Sequence, residues 1–140
     1  MTLAASLTAL CDMLQAQTKA PVFLGLPDKA VPGIYVWPIQ MTENQHVKNI
    51  RDHLTPHVAN SPPSSNLIVH VLVVVNPAYT EEGLALLEAS RKAILDQPVM
   101  TIDGKAVRIL HAPLAIAELT ALFAAATIPL TICLSARMEC

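Results

Sequence analysis

Glycine is scarce in this sequence, with four in 140 residues, at positions 25, 33, 83 and 104. They do not cluster into the loop whose backbone N–H groups cradle a phosphate, so neither a P-loop nor a dinucleotide fingerprint is present. Charge is also scarce, at 14% of residues against about 25% in ordinary soluble domains. With 53% hydrophobic residues, the charges are too few to coat an isolated subunit, which favours a chain that covers apolar surface with partners. A net charge of -2, with no Lys/Arg cluster interleaved with aromatics, lacks the electrostatic footprint of a nucleic-acid binder. Long hydrophobic runs are missing as well. The longest, Leu67 to Val75 interrupted by His70, is about half of a helical bilayer span, so the positive mean hydropathy does not imply membrane insertion. Met1 to Leu10 has neither a basic leader nor a continuous apolar core, which argues against a secretory signal and for a cytoplasmic origin.

The cysteines, Cys11, Cys133 and Cys140, are three in number and share no short spacing, which argues against a disulfide framework or a zinc knuckle. Cys11 and Cys133 read as small buried apolar residues, and Cys140 as an exposed thiol. His46, His53 and His57 provide the one metal-like pattern, since His53 and His57 have the four-residue spacing that places two imidazoles on one helical face. No Glu follows His53, and Pro56 stands between the pair, so solvated loop histidines are the simpler reading. His70, flanked by valines, reads as a core or interface histidine, and His111 has no partner in the sequence. There is no Gly-x-Ser-x-Gly elbow. Carboxylates are scattered, and Glu81-Glu82 already suits a helix N-terminus. The sequence therefore predicts no enzyme, no cofactor and no metal site, with no catalytic residues to name.

Leu3, Leu7, Leu10 and Leu14 form one helical stripe and predict a helix over about Thr2 to Gln17. Pro21, Pro27 and Pro32 then leave only short extended pieces such as Val22 to Leu24. Ile34 to Met41 reads as a strand, with Tyr35, Trp37, Ile39 and Met41 on one face and Ile34 and Val36 on the other. Pro38 places it near an edge or a bulge. Residues 43–66 turn polar and carry Ser61-Pro62-Pro63-Ser64-Ser65, which reads as a long loop or arm reaching a neighbour. Leu67 to Val75 has the continuous β-branched pattern of a central strand covered on both faces. Thr80 is placed to cap a helix from about Glu81, with Leu84, Leu87, Arg91 and Ile94 as its stripe and Pro98 beyond its end. Asp103-Gly104 joins Val99 to Ile102 and Val107 to Leu110 as a hairpin. Ile116, Leu119, Phe123 and Ala126, widened by Leu122, form a third helical stripe. Ile128, Leu130, Ile132, Leu134, Ala136 and Met138 alternate with Pro129, Thr131, Cys133, Ser135, Arg137 and Glu139 and predict a last strand over the whole C-terminus, buried on one face only. The order predicts an α+β fold, a mixed sheet with about three helices packed on it, in one domain over residues 1–140.

The order of these motifs resembles the N-terminal domain family of the cap, or tail-terminator, proteins of phage-tail-like contractile injection systems. The residues that carry the resemblance are the leucine helix, Gly33-Ile34-Tyr35-Val36-Trp37 leading to Asn44 and Lys48-Asn49, and the proline-rich stretch before Leu67 to Val75. To these are added Leu84 to Val99 ending in Asp96-Gln97-Pro98-Val99, and the final helix running into Pro129 to Met138. Two departures stand in the last segment, where Leu130 replaces the family's tyrosine and Ser135 or Ala136 a later aromatic. The resemblance implies a structural protein with a tail-terminator-like fold. Such a protein forms a homo-oligomeric ring, a hexamer, and contacts tube and sheath proteins, but neither nucleic acid nor membrane. It is built in the bacterial cytoplasm before it joins the injection particle. Trp37, Asn44, Lys48, Arg51 and Arg137 are the implied interface residues. Two rival readings are a small metal- or ligand-binding enzyme on His46, His53 and His57, and a monomeric adaptor that binds a peptide along the edge of the last strand.

Overall fold

The structure, a computed structural model, describes residues 3–43 and 67–140. Its elements are α1 (Leu3–Thr18), β1 (Val22–Leu24), β2 (Gly33–Glu43), β3 (Leu67–Asn76), α2 (Glu81–Asp96), β4 (Val99–Ile102), β5 (Lys105–His111), α3 (Ile116–Ala125) and β6 (Cys133–Glu139). The strands form one sheet in the order β1-β2-β3-β6-β5-β4. Only the β1/β2 pair is parallel. The fold is therefore the expected α+β class, a mixed sheet with three helices among the described residues.

β3 sets the layers. Val69, Val71, Val73 and Val75 point to one face, and Leu72 and Val74 to the other, all of them buried. On the first face the valines meet Ile34 and Val36 of β2, Ala136 and Met138 of β6, and Val107 and Ile109 of β5. α1 and α2 lie side by side over this face, and α1 touches both edge strands, β1 and β4, because the sheet curls around its core. Leu7, Leu10 and Leu14 fill that concavity, as their spacing predicts. On the second face Tyr35, Leu72 and Val74 pack against Phe123 of α3. Trp37 meets Phe123 edge to face, with ring centroids 5.5 Å apart.

The helix ends follow local chemistry. Thr80 Oγ1 accepts the Gly83 N–H at 3.0 Å, capping α2 beside Glu81 and Glu82. α3 closes in a Schellman arrangement. The Ile128 N–H donates to Phe123 O and the Thr127 N–H to Ala124 O, with Thr127 at φ 60. The Asp103-Gly104 turn has φ values of 51 and 78, which gives the hairpin its two left-handed residues.

The structure corrects five expectations. The last strand begins at Cys133 rather than Ile128, because Pro129 has no N–H to give a ladder and the Ile132 N–H is bonded to the Tyr79 hydroxyl instead. β2 carries a register shift between Pro38 and Gln40 that places Met41 opposite Val69, on the other face from Tyr35 and Trp37. Bonds from Ile34 N to Pro21 O and from Gly25 N to Val36 O show that even-numbered residues there aim their backbone at β1. The missing N–H of Pro38 therefore falls beyond the end of β1 and costs no ladder bond. On α2 the buried side is Gly83, Leu87, Ser90, Ala93 and Ile94, while Leu84 and Arg91 are exposed. Gly83 causes that rotation, because only a residue without Cβ fits against the Pro77 carbonyl. On α3 Ile116 points outward at 76% exposure, since Leu119, Leu122 and Phe123 already fill the space above the sheet. Cys140 is half-buried rather than exposed. Its N–H donates to Leu67 O at 2.8 Å, and its side chain packs against the core.

Helix propensity alone makes Gly83→Ala stabilising by about 1 kcal/mol. The contact with Pro77 predicts the reverse, a loss of about 1–3 kcal/mol, read as a lower urea midpoint. Thr127→Gly should raise the midpoint by up to about 1 kcal/mol, because it relieves a β-branched residue of the left-handed conformation.

Candidate functional site

Three surface features stand out from the framework. The first is the outer side of α3. Glu118 is the only charged residue in Ile116–Ala125, and Ile116, Ala117, Thr120, Ala121, Ala124 and Ala125 are exposed. A helix that is apolar all round is ordinarily covered on both sides. Beyond it, Leu130 and Ile132 remain 46% and 45% exposed in the segment leading to β6.

The second is a charged cluster on the outer sheet face. Arg137 of β6 stands opposite His70 of β3, and Arg108 of β5 stands opposite Glu139 of β6. Glu139 bridges both arginines, at 2.9 Å to Arg137 and 3.8 Å to Arg108. Among the described residues Arg137 Nε has no hydrogen-bond partner. Beside this cluster a groove of about 490 Å³ runs between α3 and the sheet, walled by Ile39, His70, Glu118 and Ala121.

The third is a cavity at the end of the sheet where β2 begins and β3 stops. Asn76 Nδ2 donates to Asp28 O at 2.8 Å and to Val31 O at 3.3 Å. The Tyr35 hydroxyl donates to the same two carbonyls at 3.2 and 2.7 Å. These four bonds hold the loop after β1 across the strand ends. Phe123, Ile128 and Pro129 form the opposite wall, and Tyr79 stands at the mouth. The Tyr79 hydroxyl accepts the Ile132 N–H at 3.0 Å. The cavity is open to solvent on one side and has a volume of about 400 Å³, with a mainly apolar lining, which is within the range of small-molecule sites.

Of the residues implied as an interface, Trp37 is half-buried against Phe123, and Arg137 is engaged with Glu139. The structure does not bring these two together in one described contact. Asn44, Lys48 and Arg51, the arm at 43–66 beyond Glu43, and His46, His53 and His57 lie outside the described residues. Among the described residues, no group of three His, Cys, Asp or Glu side chains is placed to hold a metal ion. No helix among them is long and apolar enough to cross a membrane. β6 lies between β3 and β5, which removes the strand edge that the peptide-adaptor reading required. The sequence reading missed the cavity altogether, because Lys29, Tyr79 and Ile128 come from three separate loops. The exposed Tyr79 in the Pro77-Ala78-Tyr79 turn was the only local signal.

No family model matches the sequence, and comparison with curated proteins gives no match.

All three thiols are held protonated. Burial, reinforced by the Asp12 charge, raises Cys11 to about 11 from 9.0, and burial also raises Cys133 and Cys140. A neutral thiol favoured by the fold adds stability below the unfolded value near 9, and that contribution disappears as pH rises toward 11. Iodoacetamide at pH 7.5 should therefore label the folded chain slowly at all three positions and the urea-unfolded chain rapidly. Unfolding midpoints should fall as pH rises above about 9.

Proposed function

We propose that the chain is a structural, ring-forming cap. It ends polymerisation of the inner tube and sheath of a contractile injection particle and anchors the last sheath ring. The observation that carries this reading is the uncovered apolar side of α3 in a chain with few charges to keep a lone subunit dispersed. The motif order adds the particle type by resemblance. A ring of identical subunits uses heterologous contacts that close on themselves, so one apolar side on each subunit meets a different surface of the next. Six copies, assembly in the bacterial cytoplasm, and tube and sheath proteins as partners follow from the same resemblance. A structural cap needs no catalytic group.

Light-scattering mass of the Cys140→Ser chain at several concentrations should give a closed multi-subunit species, visible as rings in negative stain. Ile116→Glu should dissociate that species to monomer while leaving the circular dichroism spectrum unchanged. A strictly monomeric unaltered chain that also fails to bind purified tube or sheath ends would overturn the reading.

A further inference from the structure

We infer that the cavity at the end of the sheet is a binding site for a small monocarboxylic acid with an aromatic or branched aliphatic body. Its walls supply the body's environment. Phe123 and Ile128, with Val74 and Pro77, line about 400 Å³, which suits a ligand of roughly ten heavy atoms.

The polar groups of the cavity select the head. Acceptors and donors are unequally used. The Asn76 Nδ2 is committed to the Asp28 and Val31 carbonyls, and the Thr131 hydroxyl donates to Pro129 O. The Thr80 and Tyr79 hydroxyl oxygens each accept a backbone N–H, from Gly83 and Ile132. Among the described residues neither hydroxyl proton has an acceptor, and the Lys29 ammonium has no ion pair. The unused donors are thus one cation and two O–H groups, all on exposed residues at the cavity's rim, beside the Asn76 Oδ1 acceptor, and the cation with its two hydroxyls is complementary to a carboxylate. Asp28, Glu81 and Glu82 are neighbours in sequence, but they are not among the lining residues.

The site is also preorganised. The Tyr35 hydroxyl and the Asn76 amide fix the loop that carries Lys29, and the Ile132 N–H fixes Tyr79. The loop backbone and Tyr79 are thus held before a ligand arrives, and binding orders chiefly the exposed Lys29 side chain. The inference does not depend on ring assembly.

Isothermal titration of the full chain with phenylacetate tests it. Saturable binding with a dissociation constant near or below about 1 mM is expected. Phenylacetamide, the same body without the charge, should bind about tenfold more weakly, and Lys29→Met should weaken phenylacetate by a similar factor. Lys92→Met, which removes an exposed lysine on α2, should leave the affinity unchanged. The proposal is overturned by absence of saturable binding, by equal affinity for acid and amide, or by Lys92→Met losing as much as Lys29→Met.

Discussion

Burial of both faces of β3 is the constraint on which the rest of the molecule depends. A strand with valines on one side and Leu72 and Val74 on the other must have a layer above and a layer below. The remaining elements divide accordingly. α1 and α2 take the concave side and α3 the convex one. The two layers differ in extent. The concave core draws on five strands and two helices, whereas the convex cluster draws mainly on β2, β3 and α3. Phe123 is its only fully buried aromatic from a helix. Truncating such a residue to alanine ordinarily costs about 3–5 kcal/mol, so the attachment of α3 depends heavily on one side chain.

That imbalance explains what the sequence made legible. Periodicity was sufficient where an element packs one broad face on the large core, as in the Leu7, Leu10 and Leu14 stripe. Turn chemistry was sufficient at Asp103-Gly104 and at the Thr80 cap, because both act within a few residues. It failed where a distant contact decides orientation. Nothing near Gly83 in sequence announces that the Pro77 carbonyl will rest on its Cα, and that contact turns Leu84 outward. Ile116 matches a helical stripe as well as Leu119 does, yet the space above Leu72 and Val74 is already filled by Leu119, Leu122 and Phe123. The candidate surfaces were even less legible. Arg137 was implied as an interface residue by the family resemblance, and Glu139 lies two residues on in the same strand, but strand order alone brings His70 opposite Arg137 and Arg108 opposite Glu139.

The convex face is therefore a small apolar cluster beside a charged one, and the two behave differently toward partners. The Arg108, Glu139 and Arg137 contacts are partly exposed, and such pairs contribute little to stability. Charges of this kind at an interface fix orientation and reject wrong partners more than they add affinity. The outer side of α3 has no such polarity. A contact there gains from burial at about 25 cal/mol per Å² of apolar area, and the alanines allow a neighbouring backbone to approach closely. Apolar area next to oriented charge combines attraction with register, and a ring of identical subunits needs both at every joint.

The cavity arises from a different economy. Where β2 begins and β3 ends, the backbone carbonyls of the crossing loop must be satisfied. The chain does this with side-chain donors: the Asn76 amide protons and the single Tyr35 hydroxyl proton are shared between the Asp28 and Val31 carbonyls. Beside the cavity the N–H groups of Gly83 and Ile132 are satisfied by the Thr80 and Tyr79 hydroxyl oxygens, and each hydroxyl that accepts in this way is left with a proton to give. Closing the sheet end with hydroxyl acceptors thus leaves two O–H donors among the residues that line the cavity, and Lys29 adds a full positive charge. These donors follow from how the loops are tied, and a carboxylate is the head that can accept from all three at once.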